Sequence, residues 1–363
     1  MEHPDIARWR MRSQHLWGRS LGAPEEVVGR LGAMQAQEYA FAKWAVAQRA
    51  KGVDDAAMER AVAEGTILRT HVLRPTWHFV LPADIRWMLA LTGPRVTTKT
   101  AGRHRELGLD GRTFAKSNRM LADAVRGGRH RTRKELAEVL ERRGVDTAGQ
   151  RMPYFLMQAE LDAVLCSGAP RGKQQTYALL DERAPGATTL DRDDALAELV
   201  RRYFTAHGPA TVKDFAWWSG LTMADGRRGL DMVGGVIEPL TVDGRTYWFA
   251  AGSRRGRARP TALDLVHVYD EIAVSYNESR DVVQGSVRTP VLLAGPAMHP
   301  VLHDGQVLGR WRRVLGKSSV ELEIELGRRL DATATRALEA AARRYGRFLG
   351  TRAEVVRTHV ARR

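Results

Sequence analysis

Three times along this chain, helical segments give way to two short extended segments joined through Gly- or Pro-punctuated turns. In the first round, residues 6–17 read as a helix. Pro24-Glu25-Glu26 then reads as a helix first turn with its acids at the positive end of the dipole. Helices over 41–50 and 53–63 follow, and Glu64-Gly65 stops the second. Residues 66–81 read as extended, and Pro75, which cannot donate to a ladder, marks a turn, bulge or edge. In the second round, Thr132 with Glu135 three residues on forms a capping box. It starts a helix over 136–142 that ends at Gly144, and a helix over 150–162 comes next. Extended segments 163–166 and 176–180 then flank the basic tip Gly168-Ala169-Pro170-Arg171-Gly172-Lys173. In the third round, helix 196–204 breaks at His207-Gly208-Pro209. Residues 211–218 and 222–230 are joined at Ser219-Gly220-Leu221 as a helix-turn-helix. Strands 236–240 and 245–249 meet at Asp243-Gly244, a strong hairpin signal.

Helices followed by a two-stranded ribbon make a winged-helix unit. Beyond residue 263 the pattern changes to short strands at 266–269, 291–293, 306–311 and 320–324, closed by a helix over 332–349. We therefore expect an α+β chain with three tandem winged-helix domains over 1–95, 96–186 and 187–262. A small β-barrel-like domain with a closing helix should occupy 263–363. The three rounds share architecture more than sequence, which suits tandem domains rather than a solenoid.

The chain has 363 residues, 44% of them apolar, enough for several small cores. Its formal net charge is +15, and the excess is mostly arginine. Arginine is the preferred fork for phosphate and for guanine edges, and a polyanion relieves the self-repulsion of so basic a chain. A GC-rich genome would also raise Arg, Ala and Gly with no functional demand. The single cysteine, Cys166, excludes an internal disulfide framework and cysteine-cluster zinc sites and suits a reducing cytoplasm. The first residues lack the charged and apolar regions of a signal peptide. No apolar run reaches the length of a membrane span, and no metal-ligand spacing, phosphate-cradling loop or other cofactor motif occurs.

Polar chemistry gathers at a few places. Gln35 and Gln37 stand two apart just after an apolar helical stretch. On one helix they would point to opposite sides, and in an extended segment they share a face, so a common role requires the helix to break near Met34. Carboxamides do no strong acid or base chemistry at neutral pH, but they hold a water or polar ligand well. Buried amides also satisfy backbone groups at helix ends. Arg69, His71, Arg74 and His78 lie on the extended segment of the first round. They could clamp phosphates, or serve as core histidines and a surface ion pair. Arg171 and Lys173 at the hairpin tip, and Arg254, Arg255, Arg257 and Arg259 in a basic tract, are candidates for backbone contact with nucleic acid. Tyr269 and Asp270, beside Glu271, supply adjacent acids near a strand end, where a carboxylate could stabilise a cation or cap a turn.

Taken in order, Gln35-Ala36-Gln37, Thr70-His71 through Arg74-Pro75-Thr76-Trp77-His78, His207-Gly208-Pro209-Ala210-Thr211 and Tyr269-Asp270-Glu271 resemble the winged-helix DNA glycosylases of the AlkZ and YcaQ type over nearly the whole length. The resemblance implies tandem winged helices with a C-terminal β-barrel element, C-shaped around a basic groove. It implies Gln35 and Gln37 as the catalytic pair, since the AlkZ-like branch carries Gln-x-Gln and the YcaQ-like branch Gln-x-Asp. The implied reaction is monofunctional hydrolysis of the N-glycosidic bond of N7-alkylguanine. Bulky genotoxin adducts and interstrand crosslinks are its expected targets, and an abasic site its product. The implied partner is duplex DNA carrying an alkylated purine, bound by one monomer in the nucleoid-containing cytoplasm without a cofactor. The rival is a non-catalytic winged-helix regulator, which would read the major groove with helix residues such as Arg227 and Arg228.

Overall fold

The computed structural model describes residues 3–253, 262–285 and 298–360, with the side chains of 357–360 excepted. The tract holding Arg254, Arg255, Arg257 and Arg259, and the strand expected at 291–293, lie outside the described residues. The chain is α+β and divides into two compact units. One comprises Met1–Met58, Val200–Trp218 and Met223–Arg363, the other Glu59–Leu199 with Ser219–Thr222.

The second unit is built from helices and hairpins. Helices Ile85–Glu106, Gly111–Val125, Arg133–Arg142 and Arg151–Leu161 close around Leu121, Leu136, Leu140 and Phe155. The capping box forms as its spacing demands. Glu135 Oε2 accepts from the Thr132 N–H at 2.7 Å, and Thr132 Oγ1 accepts from the Glu135 N–H at 3.3 Å. Strands Leu68–His71 and Trp77–Val80 form an antiparallel hairpin in which His71 faces Trp77 and Thr70 faces His78. Leu165–Ser167 and Thr176–Leu179 pair antiparallel, and Arg131–Thr132 joins the outer side of the latter.

In the first unit, an open five-stranded sheet runs in the order Arg352–Val360, Ser319–Leu326, Gln306–Leu315, His299–His303, Leu263–Leu265. All neighbours are antiparallel except the first two. A parallel pair needs a crossover of a dozen residues or more, and helix Ala332–Phe348 supplies it. The strand expected at 266–269 forms earlier, at Leu263–Leu265. Against this sheet Phe41 stacks on His267 at 4.9 Å between centroids. Trp311 and Tyr345 meet edge to face at 5.1 Å. The hairpin Ile237–Val242 with Arg245–Ala250 turns through Asp243 and Gly244, both at positive φ, as the Asp-Gly pair anticipates.

Candidate functional site

The helix Pro24–Leu31 ends at Gly32, whose φ of 80° suits a residue without Cβ. The next helix begins only at Tyr39. Between them Met34–Gln35 is extended, so the break that a shared role for the two amides requires is present. Ala33, Met34 and Ala36 are buried and anchor the segment. Gln35 is 8% exposed, and Gln37 opens to solvent.

The segment is tied down through its backbone. The Gln35 N–H donates to Glu271 Oε1 at 2.7 Å. Glu271 is fully buried, and its other oxygen accepts from Trp218 Nε1 at 2.8 Å and from Ser275 Oγ at 2.5 Å. His207 Nε2 stands 3.4 Å from that oxygen. Burial alone would push the Glu271 carboxyl up. The His207 ring, the Ser275 hydroxyl and the Gln35 N–H reverse this and hold it at about 2. Glu271 is thus a carboxylate at any moderate pH.

Its neighbour Asp270 has a different duty. It caps the short helix Glu271–Val274 by accepting from the Ile272 N–H at 2.9 Å. It also takes both arms of the buried Arg49 guanidinium, at 2.7 and 2.8 Å. Arg49 also donates to Gln14 Oε1 at 3.0 Å, and Gln14 Nε2 donates to Tyr276 Oη at 2.9 Å. Arg10 lies over the Tyr276 ring at 3.7 Å and donates to Ser279 Oγ at 2.6 Å. The segment 270–279 is therefore braced by a buried polar network. Sequence reasoning favoured Tyr269 and Asp270, but it is Glu271 that touches the Gln35 backbone. Asp270 is engaged with Arg49, and the half-buried Tyr269 meets His267 edge to face.

In the second unit, the Arg69 guanidinium sits 4.4 Å above the Trp77 ring, and His71 lies against the same indole. His71 Nδ1 pairs with the buried Glu160. Extension is not continuous through this segment. Arg74 lies in the turn between the strands, so it does not share a strand face with His78. His78 is buried, with Nδ1 2.9 Å from Thr76 O. Burial, then Arg95 and Arg74, lower the Lys99 ammonium from its ordinary range, which gathers three cations at one place. Arg95 and Lys99 escaped sequence reasoning because the helix that carries them, Ile85–Glu106, was not read as one. Arg171 at the hairpin tip donates to Glu135 at 2.8 Å, and Lys173 is exposed. Burial pushes the Cys166 thiol up to about 12, which makes it a packing group rather than a nucleophile.

This mixed α+β fold has a counterpart among solved structures. Streptomyces sahachiroi DNA glycosylase AlkZ matches with a TM-score of 0.74, covering 98% of this chain and 100% of that chain at 23% identity. That likeness shows that the two chains share a fold. The interstrand DNA cross-link repair glycosylase of Streptomyces sahachiroi is 26% identical over 324 residues, 85% of this chain and 87% of its own length. The sequence model described as DNA glycosylase AlkZ-like matches residues 28–348. The chain belongs to this family of DNA glycosylases, enzymes that hydrolyse N-glycosyl bonds.

Proposed function

We propose that the chain is a monofunctional glycosylase for N7-alkylguanine in duplex DNA, that it accepts bulky adducts and the two-ended adducts of interstrand crosslinks, and that Gln35 and Gln37 are its catalytic pair. The observation that carries this reading is the extended break at Met34–Gln35. There one carboxamide stands at the protein wall and the other opens to solvent, on a backbone clamped by Glu271.

The chemistry asks little of the protein. Alkylation at N7 makes the base cationic. When the bond from N9 to C1′ breaks, its electron pair returns to the base, which leaves neutral without a general acid. A water oxygen forms the new bond to C1′ and gives its spare proton to solvent, leaving an abasic site. The two amides hold that water beside an oxocarbenium-like carbon, a contribution of position and dipole rather than of proton transfer. Arg69, His71, Arg74, Arg171 and Lys173, with the tract from Arg254 to Arg259, would contact the DNA, whereas His78, fully buried, is a packing group. In this reading the winged-helix partition 1–95, 96–186 and 187–262 presents those groups around a basic groove.

Mass spectrometry of bases freed from DNA treated with a panel of alkylators tests the proposal. Release of N7-alkylguanine, with strand breaks only after heat or alkali, is the expected result. No free base from any cationic N7 adduct would refute it. Gln35→Ala and Gln37→Ala should each cut the rate about 100-fold with DNA affinity nearly intact. Full rates in both variants would make the pair structural.

A further inference from the structure

The second unit holds a cavity of about 620 Å³ that the base-release step above does not use. Its size falls in the range of small-molecule sites. Its lining is unusual in combining flat apolar groups with cations and no carboxylate. Trp77, half-buried and backed by the guanidinium of Arg69, forms one wall, and the buried ring of Tyr177 is also in the lining. Arg133 and Lys134, both exposed, stand on the first turn of helix Arg133–Arg142. The capping box uses the N–H groups of Thr132 and Glu135 there, so the first-turn amides of Arg133 and Lys134 remain at the positive end of the helix dipole.

These features ask for two things in one ligand: a planar ring to lie among Trp77, Arg69 and Tyr177, and an anion for Arg133 and Lys134. We propose that this cavity is a nucleotide-binding site, with the base against Trp77 and the 5′-phosphate at the start of helix Arg133–Arg142. Aromatic rings and Arg planes are the ordinary platform for an unpaired base. The nucleotide comes either from an extrahelical position in a DNA strand or from free mononucleotide. The strand source rests on the glycosylase reading, and the free source does not.

Photocrosslinking of the full chain separates these cases. Three probes are used: a duplex with one bulged 5-iododeoxyuridine, the same duplex with that residue base-paired, and free 5-iododeoxyuridine monophosphate. Peptide mass spectrometry maps the adducts. Adducts on Trp77 or Tyr177 from the bulged duplex, and not from the paired one, support the site with a strand as its source. Adducts there from the mononucleotide alone support it with free nucleotide as the source. Deoxyguanosine monophosphate should suppress them, and deoxyribose 5-phosphate should not. Lys134→Glu, at an exposed position, should lower the yield about tenfold, the worth of one charge-assisted contact, with the unfolding midpoint unchanged. Adducts only elsewhere, or equal competition by the sugar phosphate, overturn the proposal. Base release from alkylated DNA, measured in parallel, reports on the glycosylase reading separately.

Discussion

Two adjacent acids on one short segment show how little a residue's type says about its work. Asp270 and Glu271 differ by one methylene, yet Asp270 holds a buried arginine while Glu271 holds a backbone amide 236 positions away. The pair was legible as chemistry-bearing, but which acid meets the amide motif depends on where a distant segment returns, and no local pattern encodes that. The two roles predict different failures. Asp270→Asn leaves Arg49 buried with half its fork, so stability should fall by about 3–5 kcal/mol in denaturant titration. An unchanged midpoint would mean that the fork carries no stability. Glu271→Gln keeps the shape but replaces one carboxylate oxygen with an amide that cannot accept from all of its donors. Base release should drop about 10- to 100-fold through a shifted Gln35, with DNA affinity retained. Equal losses in affinity and rate would instead point to general unfolding of the site.

Among the elements, those written in short-range code were the readable ones. The capping box at Thr132 and the Asp243-Gly244 turn each depend on residues within three positions, and each forms. Thr132→Ala should cost about 1 kcal/mol, visible as a lower thermal midpoint. The long helix Ile85–Glu106 was not readable, because Pro94 sits inside it and a proline ordinarily marks an end. Nor was the edge strand Arg352–Val360, whose pairing exists only because a helix returns it beside Ser319–Leu326. Gly309 is a similar long-range demand. It lies where the register between His299–His303 and Gln306–Leu315 shifts, and a Cβ there would meet the Glu325 carbonyl oxygen at 2.1 Å. Both walls are backbone, so Gly309→Ala should destabilise by about 1–3 kcal/mol or more. A variant with wild-type stability would show that the sheet gives way locally.

For the molecule as a whole, pH is the sharper probe. His267 and His299 are buried, and burial first, then Arg313 and, for His267, the neighbouring His299, lower them to about 2 and about 4. The unfolded chain takes up these protons near 6.5 and the folded chain refuses them. Stability is therefore full above that pH and falls by about 1.4 kcal/mol per unit per histidine on acidification, down to about 4 for His299 and about 2 for His267. Glu271 adds a loss of the same sign from 4.5 down to about 2, because its carboxylate is the form the fold prefers. Denaturant titrations at stepped pH should show stability already declining between pH 6.5 and 4.5, and His267→Gln should make that slope shallower by one proton. An identical slope in the variant would place the uptake elsewhere.

The bond from Gln35 to Glu271 also sets an order of events during synthesis. The loop bearing the amide pair is made before its anchor, which follows 236 residues later. A nascent chain or a truncated product ending before residue 271 carries both carboxamides and lacks this clamp. The backbone clamp is thus deferred until residue 271 has been made, and fragments released earlier are born without it.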